Sequence, residues 1–116
     1  MTAHSTATGR AMLAALPREQ VRALYPDATA FAERTGRGPG RPAELREVLR
    51  AVRADGYATE DGEVTPGLRS VGVAVRDHAG WPVAAFAVTW ADDERDAAAI
   101  VAATTTSADE LSRRLR

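Results

Sequence analysis

Residues 71–90 read VGVAVRDHAGWPVAAFAVTW, and this stretch decides the fold. From 71 to 75 every second residue is a valine, and a period of two is the pattern of a β-strand. A second apolar run, at 83–90, is rich in residues that favour strands. The residues between the two runs, Asp-His-Ala-Gly at 77–80, are typical of a turn. We therefore predict a β-hairpin.

The sequence before the hairpin has the period of a helix. Its apolar residues follow the spacing i, i+3, i+4, i+7, which gives a helix one apolar face. These residues are Leu45, Val48, Leu49 and Val52. Pro42 suits the first turn of such a helix, and Gly56 is typical of the left-handed residue that ends one. We predict a helix from Pro42 that ends at Gly56, followed by a short strand at 57–60.

Two shorter helices are predicted before this one. Thr6 is a suitable N-cap for a helix over 7–16, whose residues are mostly strong helix formers. Pro17 interrupts that helix, and because proline fits the first turn of a helix, a second helix is predicted to open there. This second helix is expected to turn Val21 and Leu24 inward.

The C-terminal segment is also predicted to be helical. Acidic residues at 92–96 and arginines between 113 and 116 complement the dipole of a helix that runs between them. The threonines at 104–106 are poor helix formers, and Ser107 with Glu110 has the spacing of a capping box. The segment is therefore either one helix or two.

These elements predict an α+β fold in a single domain, 1–116, with a small antiparallel sheet of about three strands packed with helices. Residues 34–42 hold three glycines and no large apolar residue, so we expect an exposed loop there. A three-stranded sheet has open edges, and proteins usually cover or pair such edges. We therefore expect further strands or a partner to complete the sheet.

Composition excludes several classes of function. The chain has 116 residues, 15 basic and 16 acidic, and its net charge of −1 lacks the basic excess of a standalone nucleic-acid binder. It has no cysteine, and all its basic residues are arginine, which removes disulfides, Cys-based zinc sites and lysine Schiff bases. No apolar run approaches the roughly 20 residues of a membrane helix, and no signal peptide is visible. We expect a cytoplasmic protein with no membrane partner.

No set of residues has the spacing of a catalytic or metal site. The histidines, His4 and His78, are not accompanied by a G-x-S-x-G nucleophile elbow. The acidic residues at 92–96 lack the glycine turn and the distal acid of a calcium loop. Glu60 and its acidic neighbours surround a glycine, and acidic residues in such a turn are usually solvated. A hydrolase that uses Glu60 with a histidine is therefore the weakest hypothesis of function. We predict a protein that is not an enzyme and has no metal site or cofactor.

Three blocks of sequence, in order and sensibly spaced, resemble the effector-binding domain of IclR-family transcriptional regulators. They are HSTATGRAMLAALP at 4–17, VRADGYA at 52–58 and GLRSVGVAVRD at 67–77, and residues 108–112 are similar to the last helix of the family. The resemblance implies the later part of that GAF-like domain. The winged helix-turn-helix and the first strands of the sheet, which family members also carry, are not expected in this chain.

The resemblance also implies a binding site for a small organic acid between the sheet and the start of the first helix. In the family, backbone N–H groups and a few polar side chains hold the ligand. The positions that match are Ala7 and Thr8 at the helix start, Glu60 after the Gly-Tyr strand, Leu68 on the apolar wall, and the hydroxyl-bearing Ser70 and Thr89.

The sequence departs from the family's pattern at three of the neighbouring positions. Ala87 replaces a hydroxyl, and Gly72 and Ala74 replace the usual alanine and proline of the central strand. Glu60 also needs a partner, because an unpaired carboxylate buried beside an anionic ligand would be costly. We expect Glu60 to be protonated, to pair with Arg69, or to point away from the site.

The sequence leaves two hypotheses of function open. The leading one is a ligand-sensing domain that binds a small organic acid effector and signals through the interface of a homodimer or tetramer, with DNA bound only through a separate winged-helix domain. The alternative is a module without a ligand that uses its open sheet edge for oligomerisation or interaction with a partner.

Overall fold

A computed structural model of the chain describes residues 3–27, 30–31, 39–91 and 96–115. After a 3₁₀ turn at Ala3–Ser5, the helices are α1 (Ala7–Ala15), α2 (Arg18–Leu24), α3 (Pro42–Asp55) and α4 (Ala97–Arg114). The strands are β1 (Ala58–Asp61), β2 (Leu68–Arg76) and β3 (Pro82–Ala91). The α+β class and the order of the elements are therefore as the sequence predicts.

The three strands form one antiparallel sheet in the order β1-β2-β3, so β2 is central. The predicted hairpin joins β2 to β3. In its turn, Oδ1 of Asp77 accepts hydrogen bonds from the backbone N–H groups of Ala79 at 2.9 Å and Trp81 at 3.0 Å. Gly80 has a φ of 80°, a conformation that costs glycine little. The register slips between Val75 and Arg76, next to this turn.

The helix ends follow the predicted capping residues. At the start of α1, Oγ1 of Thr6 accepts a hydrogen bond from the N–H of Gly9 at 3.1 Å. At the end of α3, Gly56 has a φ of 85° and donates its N–H to the carbonyl of Val52 at 2.8 Å. Of the two residues of α2 that were expected to face inward, Val21 is buried but Leu24 is 57% exposed.

Helices cover both faces of the sheet. On the first face, α1 and α3 pack over Ala58 and Ala74 to form the main apolar core. The core residues are Ala11, Leu13, Ala14, Val21, Leu45, Leu49, Val52 and Ala58. On the second face, β2 buries the valines at 71, 73 and 75, and α4 packs against this strand. Oγ of Ser112 in α4 accepts a hydrogen bond from the N–H of Arg76 at 3.1 Å.

The C-terminal helix α4 is continuous, so the interpretation as two helices is wrong. The hydroxyls of Thr104, Thr105 and Ser107 donate to backbone carbonyls four residues earlier, at 2.7, 3.0 and 3.0 Å. These bonds satisfy the hydroxyls inside one continuous helix. A Ser107 that capped a second helix would instead have ended the first helix before it. The acidic residues at 92–95 lie outside the described part of the chain.

The predicted loop at 34–42 falls largely outside the described residues, which resume at Pro39. Pro39 is buried, and Pro42 is already the first residue of α3. In the described part of this loop, the exposed residues are Gly40 and Arg41. Among the described helices, none is long and apolar enough to cross a membrane.

The start of α1 lies directly on the backbone of the central strand at Gly72. A Cβ atom at this position would lie 2.4 Å from the carbonyl carbon and oxygen of Ala7, and 2.8 Å from the nitrogen of Thr8. Real Cβ atoms do not approach backbone atoms this closely. Gly72 therefore allows a contact between helix and sheet that a side chain at this position would prevent.

We expect the substitution Gly72→Ala to lower the free energy of unfolding by about 3 kcal/mol, because the atoms it meets belong to the backbone and have little room to move. Urea denaturation followed by circular dichroism measures the change. Gly80→Ala serves as the control, because that position has open space around it and a φ of 80°, so it should cost only about 1 kcal/mol. Equal stability of Gly72→Ala and the wild type would contradict the close contact.

Candidate ligand-binding site

A cavity of about 310 Å³ lies between the start of α1 and the sheet. We call it the helix-start cavity. Its lining residues are Thr6, Ala7, Thr8, Glu60, Val64, Thr65, Leu68, Ser70, Ala87 and Thr89. All six residues named from the sequence are therefore brought together around one space. Thr6, Val64 and Thr65 were missed, and no periodic signal marks the β1–β2 loop that carries two of them.

Three polar side chains of the cavity form a row across the sheet. Glu60 is paired in register with Ser70, and Ser70 is paired with Thr89. The hydroxyl oxygens Ser70 Oγ and Thr89 Oγ1 are 2.8 Å apart. Each hydroxyl has one hydrogen, and their mutual bond uses one of the two. One O–H donor therefore remains for a ligand.

The first turn of α1 supplies backbone donors to the same cavity. Of its N–H groups, that of Gly9 bonds the Thr6 hydroxyl and that of Arg10 bonds the Thr6 carbonyl at 2.9 Å. These two bonds do not use the N–H groups of Ala7 and Thr8, which lie at the cavity wall. The first turn of a helix carries partial positive charge, so this end of the cavity favours an anion.

Glu60 is held by the loop that follows it, so the expected pairing with Arg69 is wrong. Its side chain is buried, with 6% exposed, and Oε2 accepts hydrogen bonds from the N–H groups of Glu63 at 2.7 Å and Val64 at 3.3 Å. Arg69 does not pair with it, because the Arg69 Nε atom lies 4.0 Å from Asp61. The carboxylate of Glu60 thus closes the β1–β2 loop and fixes one wall of the cavity.

Arg10 is a second buried charge that supports the cavity, and it was not predicted from the sequence. It is 4% exposed, and its guanidinium group donates to three separate elements. Nε donates to the carbonyl of His4 at 2.8 Å, and Nη1 donates to the carbonyl of Thr59 at 2.9 Å and to Oε2 of Glu63 at 2.7 Å. Arg10 therefore ties the start of α1 to β1 and to the loop.

Neither histidine lines the cavity. His4 is fully buried in edge-to-face contact with Tyr25 and Phe31, at ring-centroid distances of 5.5 and 4.9 Å. Burial raises the pKa of Tyr25, and a hydrogen bond to the backbone of His4 opposes this shift. His78 lies in the exposed hairpin turn. Among the described residues, no group of three His, Cys, Asp or Glu side chains has the arrangement of a metal site.

Residues 1–113 match the family described as bacterial transcriptional regulator IclR C-terminal. The chain belongs to the IclR family. It is 35% identical over 88 residues to the glycerol operon regulatory protein of Streptomyces coelicolor, which covers 76% of this chain and 34% of that protein. This family consists of transcriptional regulators rather than enzymes.

Solved IclR-type structures have the same fold. The repressor BlcR of Agobacterium tumefaciens superposes with a TM-score of 0.87 at 29% identity, covering 99% of this chain and 48% of BlcR. IclR of Thermotoga maritima gives 0.87 at 27% identity, covering 99% of this chain and 47% of that structure. The chain therefore spans about half of these solved structures and about a third of the curated relatives.

We expect Glu60→Ala to cost about 2–3 kcal/mol of unfolding free energy, because it leaves the N–H groups of Glu63 and Val64 without their charged acceptor. Glu60→Gln keeps an oxygen acceptor in place and should cost about 1 kcal/mol. Asp61→Ala is the neighbouring control and should change stability by less than about 0.5 kcal/mol, because Asp61 makes only an exposed ion pair. A Glu60→Ala variant no less stable than Asp61→Ala in urea denaturation would rule out this role of Glu60.

Proposed function

We propose that this IclR-type domain is an effector-binding domain whose ligand is a small organic carboxylate held in the helix-start cavity. One observation carries the proposal: backbone donors of α1 and the hydroxyl pair of Ser70 and Thr89 line the same cavity of about 310 Å³. Donors from two independent elements that converge on one small cavity are the arrangement that recognises a compact anion.

The carboxylate is proposed to accept hydrogen bonds from the N–H groups of Ala7 and Thr8, with the remaining hydroxyl hydrogen of the Ser70–Thr89 pair as a further donor. The N–H groups of Glu63 and Val64 stabilise the carboxylate of Glu60 and hold its Oε2 atom against the loop. Leu68 and Ala87 line the cavity with apolar surface, which suits a ligand with an apolar body next to its acid group.

Regulation is proposed to be a shift of population without chemistry. The ligand would stabilise one arrangement of a subunit interface, and a separate winged-helix domain of the complete regulator would respond in its DNA-binding geometry. The net charge of −1 on this chain agrees with assigning the DNA contact to another domain.

Isothermal titration of the folded chain with small carboxylic acids tests the proposal. The first probe is 3-hydroxybenzoate, because a double mutant of the PobR inducer-binding domain from Acinetobacter, which shares the fold, was solved as a complex with this acid. We expect binding at the helix-start cavity, and we expect Thr8→Pro to weaken it by about 10-fold or more, because proline lacks the N–H that the carboxylate needs.

Thr8→Ala is the matched control, because it removes the side chain and keeps the N–H group, and it should bind close to wild type. Circular dichroism establishes that both variants are folded. The proposal fails if no acid of the panel binds to the folded wild type, or if Thr8→Pro and Thr8→Ala bind equally well.

The alternative function, oligomerisation without a ligand, is favoured by a different observation. Strand β3 is ten residues long, carries no charged residue, and pairs only with β2 among the described strands. Val83 and Val88 on this strand are exposed. A long uncharged edge strand readily accepts another strand, so β3 is the surface that a second copy would extend.

Sedimentation velocity across a range of concentrations tests this alternative. If β3 pairs with a second copy, Val83→Lys should shift the chain to monomer, because a lysine on an edge strand opposes strand addition. Ala102→Lys adds the same charge at an exposed position of α4 and should leave association unchanged. A wild type that stays monomeric at all concentrations contradicts the alternative.

A further inference from the structure

A second cavity, of about 240 Å³, lies between α2 and α3 and is lined mainly by arginines. We call it the arginine groove. Its lining residues are Arg18, Val21, Arg22, Arg46, Leu49, Arg50 and Arg53. None of them lines the helix-start cavity. The arginine groove is therefore separate from the helix-start cavity.

Helical spacing produces the groove. On α2, Val21 lies between two arginines spaced i and i+4, and on α3, Leu49 lies among arginines spaced i, i+4 and i+7. Val21 and Leu49 are 6% and 1% exposed and belong to the apolar core. Because Val21 and Leu49 are fixed in the core, the arginines near them in sequence lie on the two sides of one groove.

Most of this positive charge has no acidic partner. Arg22 and Arg50 form exposed pairs with Glu19 and Glu47 on their own helices. Among the described residues, Arg18 and Arg46 have no carboxylate at ion-pair distance. Arg53 donates its Nε to the carbonyl of Ala14 at 2.9 Å, which leaves its charge unbalanced. Within the part of the chain that the structure describes, three guanidinium groups around one groove therefore lack a carboxylate partner.

Two of these arginines, Arg18 and Arg53, are also close enough to repel each other. Burial lowers the pKa of Arg53, and the positive charge of Arg18 lowers it further. Like charges held together in this way oppose folding, and a bound anion would remove the repulsion.

We propose that the arginine groove binds a small polyanion, a molecule with two or more adjacent phosphate or carboxylate groups. Guanidinium groups bind both kinds of group through paired N–H donors, and two or three negative charges match the three unbalanced arginines. The volume of about 240 Å³ accommodates a small molecule. The apolar floor of Val21 and Leu49 leaves room for a short organic body.

Inorganic pyrophosphate and citrate are the probes, and they separate a phosphate ligand from a carboxylate ligand. We expect at least one of them to bind the 116-residue chain at about 0.15 M salt in isothermal titration and to raise its Tm. The double variant Arg18→Gln/Arg46→Gln should weaken this binding by about 10-fold or more, because it removes two unpaired guanidinium groups. Both residues are exposed, so the variant should fold.

The control is Arg113→Gln/Arg114→Gln, which removes the same charge from the end of α4, outside the groove. It should leave binding unchanged. Three results would overturn the proposal: no binding of either probe at this salt concentration, equal weakening in the two double variants, or tighter binding of an oligoglutamate peptide than of both probes. The last result would assign the groove to an acidic polypeptide instead.

Discussion

The packing of the first turn of α1 on Gly72 is the contact on which the helix-start cavity depends. Because this residue has no side chain, the backbone of Ala7 and Thr8 lies against the central strand. That position sets the helix N–H groups beside Ser70 and Thr89, which lie more than 60 residues later in the sequence than Ala7 and Thr8. A larger residue at 72 would lift the helix and widen the space between its donors and those of the sheet.

Two buried charged residues hold the other walls in place. Arg10 reaches from α1 to the carbonyl of Thr59 and the carboxylate of Glu63, and Glu60 accepts from the backbone of the same loop. Each charge has partners with good geometry, as buried ions require. The loop between β1 and β2 is thus connected to both the helix and the sheet. A ligand that moved one wall of the cavity would therefore also move the other walls.

The sequence predicts the elements whose periodicity is strong and misses contacts that depend on irregular backbone. The alternation at 71–75 and the spacing from Leu45 to Val52 correctly predict β2 and α3, and the resemblance brings six residues to one cavity. The partners of Glu60 could not be predicted, because a six-residue loop without periodicity decides which N–H groups face it. The arginine groove was missed for a related reason: its two walls are far apart in sequence, and each alone is an ordinary solvated helix face.

The hydrogen bond between Ser112 and the backbone of Arg76 has a consequence for the order in which the domain is completed on the ribosome. The slipped register beside the hairpin leaves the N–H of Arg76 to be satisfied by a side chain 36 residues later. Translation delivers that hydroxyl only after 36 further residues have been added to the chain. The nascent hairpin therefore emerges before the last turns of α4, which supply this hydrogen-bond partner, have been made.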